Sequence, residues 1–201
     1  QDGPTSNVNL RLALSYAVDR QSIVDNVTQG GQLPAQWFVL PTLSGAPTME
    51  AYPDLGVWYD PDMAQEYLAM ALEELGYADV SELPQLTLLF NTNENHARIA
   101  EAIQQMWVDE LGVEVQLTNQ EFATYLDTRK DFPVWRAGWC LDYPDAHNFL
   151  YDVFHSTSNN NDTFWSSEEY DALLEEALVV ETVEERQALY AQAEEILVKD
   201  A

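Results

Sequence analysis

Apolar residues near the start of the chain recur at helical spacing. Leu10, Ala13, Leu14, Ala17 and Val18 fall at i, i+3, i+4, i+7 and i+8, and Ile23, Val24 and Val27 carry the stripe toward Gly30-Gly31. Asp60-Pro61 predicts an N-cap and a first helical position. The stripe Tyr67, Leu68, Ala71, Leu72 and Leu75 follows, closed by Gly76. Leu86–Phe90 is a short apolar strand. A helix is expected from about Asn95 to Leu111, with Ile99, Ile103, Met106 and Trp107 inward. Gly112 ends it, and Val113, Val115 and Leu117 alternate as a second strand. Phe122, Tyr125 and Leu126 mark a short helix, and Val134–Gly138 reads as a third strand. This strand–helix order predicts an α/β fold: a parallel-rich, mixed sheet with right-handed crossovers and helices on both faces. Beyond it, Phe149, Leu150, Val153 and Phe154 suit a short helix, and Ser156–Thr163 is a polar loop. Ser166 with Glu169, and Thr182 with Glu185, form capping boxes that open two further helices. Residues 32–59, rich in proline and aromatics, read as an ordered irregular connection. One compact lobe over 1–201 is the expectation.

The stretch Trp135 to Tyr143 reads as a strand that ends in a carboxylate. Gly138 permits close approach of another backbone, and Asp142 falls just past the expected strand end. Ligands of open α/β sheets collect outside the carboxyl ends of strands. A carboxylate there, beside a glycine and a tryptophan, suits a cationic ligand group; a surface Asp capping the turn before Pro144 accounts for it equally well. Arg136, inside an apolar strand, must find a partner or reach solvent.

Composition narrows the function classes. The 201 residues carry 35 Asp and Glu against 8 Lys and Arg, a formal charge of −27. Such a field repels nucleic acid and anionic membrane surfaces, and suits a solvated acidic surface or a cationic ligand. Lysine occurs only at Lys130 and Lys199, a hint of a salt-adapted or acid-rich proteome. Cys140 is the single cysteine, so no disulfide forms within this sequence. No run of about 18 apolar residues occurs, so no membrane insertion by this segment is expected. A nucleophilic Cys140 would need a base within reach, for which His96, His147 and His155 are the candidates. Cys140, Asp142, Asp145 and His147 lack metal-ligand spacing, and Asp142–Asp145 lacks the glycine of a calcium loop. No cofactor is expected.

The run Arg136-Ala137-Gly138-Trp139-Cys140-Leu141-Asp142-Tyr143 resembles the ligand-anchoring stretch of the family 5 extracellular solute-binding proteins, the peptide-binding components of ABC importers. Three further stretches resemble the family in the same order: Leu10 to Arg20; Asn91 to Trp107 with Leu111-Gly112-Val113; and Asn119-Gln120-Glu121-Phe122. The resemblance runs from Asn7 to Ala201. It implies one lobe of a type II periplasmic-binding-protein-like fold, excised from a longer two-lobed protein whose N-terminal lobe and C-terminal return strands are missing. It implies an extracytoplasmic home, with a lipid anchor on the missing N-terminus in a Gram-positive-type envelope. The implied partners are a peptide ligand, an ABC permease and its ATPase subunits, and the implied role is not that of an enzyme. Around the ligand it implies Asn91, His96, Phe122, Leu126, Arg129, Arg136, Gly138, Trp139, Cys140, Asp142, Asn159 and Asn160. Gly138 C=O and Cys140 N–H would pair with peptide backbone, and Asp142 with the peptide α-ammonium.

Read as residues alone, Asn91 or Asn95 also serves as a helix cap, and Asn159 and Asn160 as a polar surface loop. Trp139 is expected in the cleft and Tyr143 in the core. Phe122 stands where the family usually has tryptophan, and the loop from Arg129 to Arg136 is short for the oligopeptide branch. Two rivals remain. A binding protein for oligosaccharide could stack sugar faces on its 6 Trp, but a neutral sugar gives Asp142 no ammonium to hold. A glycoside hydrolase needs a spaced carboxylate pair, and none stands out.

Overall fold

The computed structural model describes residues 3–200. They sort into two compact units: residues 3–34 with 58–137, and residues 35–57 with 138–200.

In the first unit, α1 (Val8–Tyr16) opens on Asn7, whose side chain accepts from Leu10 N at 3.0 Å. The apolar stripe through Val27 does not make one continuous helix. Asp19 caps a new start by accepting from Ser22 N at 2.9 Å. The short α2 (Arg20–Ser22) then runs into a π-helical turn over Ile23–Thr28. Gln29, at φ 50, closes that turn, one residue before the expected Gly30. In α3 (Pro61–Leu75), Asp60 caps Met63 N and Gly76, at φ 76, ends the helix. The sheet segment follows as β1 (Leu86–Asn91), α4 (Glu94–Leu111), β2 (Val115–Gln120), α5 (Phe122–Thr128) and β3 (Val134–Trp135).

The three strands form one parallel sheet in the order β2-β1-β3, with Leu86 opposite Val115 and Leu88 opposite Val134. The connection through α4 steps one way and that through α5 steps back, so right-handed crossovers put these helices on opposite faces. Leu88, Leu89 and Phe90 are buried in succession, as a strand covered on both faces requires. The core gathers Leu10, Ala13 and Leu14 of α1, Leu68 of α3, Leu86 and Leu88 of β1 and Trp107 of α4. Trp107 Nε1 donates to Leu14 C=O at 2.8 Å, which satisfies the indole and ties α4 to α1.

Two strand limits differ from the sequence pattern. Val113 lies before β2. Its N–H closes the α4 terminus onto Trp107 C=O at 3.1 Å, beside Gly112 in the left-handed region. It is buried through that cap, which imitates a strand alternation. β3 stops at Trp135 rather than Gly138, so Arg136 lies past the strand. Arg136 N still donates to Leu89 C=O at 2.8 Å, but Arg136 C=O accepts from the Tyr125 hydroxyl. The acceptor that would extend the ladder is thereby engaged.

The second unit carries α6 (Ala146–Phe154), α7 (Glu168–Ala177) and α8 (Val183–Asp200). The cap of α7 is Ser167, not Ser166; this places Tyr170 inward, fully buried, with its hydroxyl donating to Leu150 C=O at 2.9 Å. Thr182 and Glu185 form their box as expected. The stretch 35–57 is pinned to the helices by polar contacts. Gln187 Nε2 donates to Ala46 C=O at 2.6 Å, and Arg186 reaches Ser44 Oγ and Asp145. Gly45, at φ 74, lies under that guanidinium; a Cβ there would stand 2.7 Å from it. Most notable is Glu194 on α8, a fully buried carboxylate. It accepts from Phe38 N at 3.1 Å and Val39 N at 2.7 Å.

Burial pushes the Glu194 carboxyl up from 4.5 to about 7, against the two backbone donors, which pull it down. Between those values the folded protein holds a proton that the unfolded chain has released. The stability this group contributes is therefore full below pH 4.5 and is lost as pH rises to about 7, a change of about 3 kcal/mol. Chemical denaturation across that window should show the wild-type protein losing about this much relative to Glu194→Gln. A wild-type-minus-variant difference that stays constant with pH would remove Glu194 as the titrating group.

Candidate functional site

At the carboxyl end of β1 in the first unit, Asn91, His96 and Arg136 come together. Asn91 ends the strand, and His96 enters on the first turn of α4. That turn is capped by Asn93, not by Asn91 or Asn95: Asn93 Oδ1 accepts from Asn95 N at 2.9 Å and His96 N at 3.2 Å. Asn91 is thus left for another task. Its Oδ1 and the His96 Nδ1 are buried without a hydrogen-bond partner. Unsatisfied buried polar atoms are rare and costly, so these two are suited to meet a ligand. Burial is the main force holding the His96 imidazole below 6.5, and the nearby Arg136 charge acts in the same direction; the Asn91 backbone opposes both. His96 is accordingly neutral at pH 7.

α5 supplies the next cluster. Tyr125 is buried, its hydroxyl on Arg136 C=O. Phe122 stacks on it with ring centroids 6.3 Å apart, and the Arg129 guanidinium lies 5.8 Å from its ring centre. Phe122 is 55% and Leu126 39% exposed, so both present apolar surface to solvent. Where Phe90, Thr92, Asn93, Glu94, Ala97 and Asn119 meet, an open depression of about 200 Å³ lies near the same strand ends. Asn119 belongs to a stretch singled out by sequence, but none of the residues expected around the ligand lines this depression.

The second unit holds Gly138, Trp139, Cys140, Asp142, Asn159 and Asn160. Residues 136–141 take no regular structure, and Gly138, Cys140 and Asp142 are exposed. Trp139 is half-buried and its Nε1 donates to Asn148 Oδ1 at 2.8 Å. Asp142 N donates to the same oxygen at 3.2 Å, leaving its carboxylate toward solvent. Tyr143 is 39% exposed rather than core. Its hydroxyl is drawn to the surface of α6, 2.6 Å from His147 Nδ1 and 3.2 Å from Asp152 Oδ2. Asn159 and Asn160 lie exposed on the loop after α6, where Asn160 N donates to Ser158 Oγ at 3.2 Å. Among the described residues, no group of three His, Cys, Asp or Glu is arranged to hold a metal.

Sequence reasoning missed Tyr125 and Asn148 as site-builders. A buried tyrosine at helical spacing reads as core, and an asparagine between histidine and phenylalanine reads as a helix surface. Neither carried a signal of its own.

The His96 environment gives a test within the first unit. Its imidazole should titrate below 6.5 by NMR, and Arg136→Gln should move the midpoint part of the way back, burial remaining. A midpoint unaffected by Arg136→Gln would separate the two side chains.

Known proteins share this organisation. Residues 1–161 match the family described as bacterial extracellular solute-binding proteins, family 5 Middle. The chain is 40% identical over 201 residues to the oligopeptide-binding protein OppA of Bacillus subtilis, covering 98% of this chain and 36% of that protein. It is 38% identical over 206 residues to the periplasmic murein peptide-binding protein MppA of Escherichia coli, covering 100% and 37%. Among solved structures, Escherichia coli MppA superposes with a TM-score of 0.83 at 36% identity, over 100% of this chain and 39% of that one. Haemophilus influenzae OppA in complex with RPPGFSPFR gives 0.83 at 36% identity, over 96% and 38%. The chain thus spans little more than a third of the length of these relatives. With the family match extending over most of its residues, the chain belongs to the bacterial extracellular solute-binding proteins of family 5.

Proposed function

We propose that this chain is a ligand-holding part of the substrate-binding component of an ABC-type peptide importer, and that its role is capture rather than catalysis. The observation that carries the reading is the segment from Ala137 to Asp142: irregular, without a strand partner, and ending in an exposed carboxylate whose main chain is held. An extended peptide recognised by strand addition needs such a free backbone edge. Gly138 C=O and Cys140 N–H are the groups to pair with it, and Asp142 the anchor for its α-ammonium. Relatives named as oligopeptide- and murein-peptide-binding proteins support this ligand class.

The sequence 1–201 is read as belonging to one lobe of a longer two-lobed protein, supported by its coverage of about a third of the relatives. Two lobes closing on a hinge would dry the ligand. In a dry cleft the charge-assisted bond to Asp142 contributes about 1.5–3 kcal/mol. Leaving the ammonium buried without it would cost about 3–5 kcal/mol. Asn91, His96, Phe122, Leu126, Arg129, Arg136, Trp139, Asn159 and Asn160 are the further ligand-facing candidates. An extracytoplasmic location with a lipid anchor, and an ABC permease with its ATPase subunits, complete the reading.

Asp142→Asn in the full-length protein should weaken binding of a tri- or tetrapeptide by about two to three powers of ten in calorimetry. An unchanged dissociation constant would remove Asp142 as the anchor. The 201 residues alone should fold but bind such peptides only at about millimolar level, because an exposed ion pair contributes ~0–1 kcal/mol. Micromolar binding by this stretch alone would overturn the two-lobe reading.

A further inference from the structure

We propose that Asn148 is the positioning residue of the ligand-anchoring segment, a single buried amide that substitutes for the missing strand partner of Trp139 to Asp142. The inference rests on the peptide-capture reading above and deepens it.

Among the described residues, Ala137 to Asp142 make no backbone–backbone hydrogen bond. A free stretch of this kind would sample many conformations, and a peptide would have to order it on binding. Asn148 prevents this. Its Oδ1 accepts from Trp139 Nε1 at 2.8 Å and from Asp142 N at 3.2 Å. One oxygen thus bridges the side chain of one residue to the main chain of another three positions on. The bonds use the indole and one amide, and leave Gly138 C=O and Cys140 N–H outside the network. They also fix the backbone from which the Asp142 carboxylate projects.

The amide orientation follows from its neighbours. An indole N–H and a peptide N–H can only donate, so the atom they share must be the oxygen. The amide nitrogen then faces Asp152, donating to its Oδ2 at 2.6 Å, an arrangement that would be repulsive if reversed. Asn148 is itself held: it is fully buried, with its N–H on Asp145 C=O at 3.1 Å. Asp145 caps α6 and is paired with Arg186 of α8. The peg therefore stands on the packed helices of the second unit, and a site group is only as well placed as its support.

Leucine matches the size of asparagine and offers no acceptor. In the full-length protein, Asn148→Leu should weaken trialanine binding by roughly tenfold or more. The Trp139 indole N–H, identified through Trp139→Phe, and the Asp142 amide should both lose their hydrogen-bonded NMR shifts and exchange faster with water. On an Asp142→Asn background, Asn148→Leu should cost less than about threefold further, because two residues acting through one group are not additive. Asn148→Asp keeps an oxygen for both donors but sets a second carboxylate against Asp152. It should bind weakly at about pH 8 and regain affinity and both shifts at about pH 5.5, where one proton is shared.

Unchanged N–H shifts or unchanged affinity in Asn148→Leu would overturn the proposal, as would full additivity with Asp142→Asn. Should Asn148→Leu fail to fold, the acid rescue of Asn148→Asp decides, and its absence counts against Asn148. If the wild-type protein binds no peptide, the capture reading falls by itself. The two N–H resonances then decide separately whether Asn148 holds the segment.

Discussion

A parallel ladder that is cut short is the constraint on which the arrangement turns. β3 pairs with β1 at Val134 and Trp135, one further bond follows from Arg136 N, and then the Tyr125 hydroxyl takes the Arg136 carbonyl. From there the backbone has no strand to lean on. Unpaired peptide groups are tolerable only where water reaches them, and Arg136, Ala137, Gly138, Cys140 and Asp142 are all exposed. The segment is thus a hydrated edge in waiting. A tyrosine hydroxyl on a short helix therefore marks where the sheet ends and irregular chain begins.

The two units reach their order by different physics. The first is an apolar core of aliphatic residues around β1, with one satisfied indole. The second relies more on buried polar groups: Asn148 and Glu194 are both fully enclosed, and each holds two backbone or side-chain N–H groups of another segment. Apolar burial is non-directional, so it sets which faces meet without fixing irregular chain to fractions of an ångström. Hydrogen bonds from a buried amide or carboxyl do fix it, because an unmet donor in such a place is expensive. Polar pegs are found where the second unit must hold irregular chain in one conformation.

Much of the fold was legible because its signals are local. The apolar run Leu86–Phe90, the Asp60-Pro61 cap, Gly76 and Gly112 at helix ends, and the Thr182–Glu185 box each act within a few residues of where they are read. The errors have a common cause. Val113 passed for strand because a helix cap buried it, and Gly138 passed for strand because the bond that ends β3 at Arg136 comes from Tyr125, eleven positions earlier in the chain. Glu194 was invisible in a chain with 35 acidic residues, since Ala193-Glu194-Glu195 reads as one more solvated helix face. Asn148 was hidden likewise, because its donors lie on a segment with no periodicity. Of the candidate site, the pattern pointed to the stretch around Asp142 and the end of β1, which remain proposals. The side chains that hold that stretch in place it could not identify, because their meaning lies in contacts between elements.

The Glu194 contacts also set the order in which the chain can become ordered. The amides of Phe38 and Val39 find their acceptor 156 and 155 residues later in the sequence. Loop closure over such a span is entropically uphill until many other contacts are in place, and folds dominated by distant pairings form slowly. Until α8 exists, Trp37 and Val39 have no interior to enter, although both are buried at the end. A chain synthesised from its N-terminus therefore carries this sticky stretch unfinished until α8 has been made. The same long closure keeps this part of the polypeptide pliant and unlocked until α8 is in place.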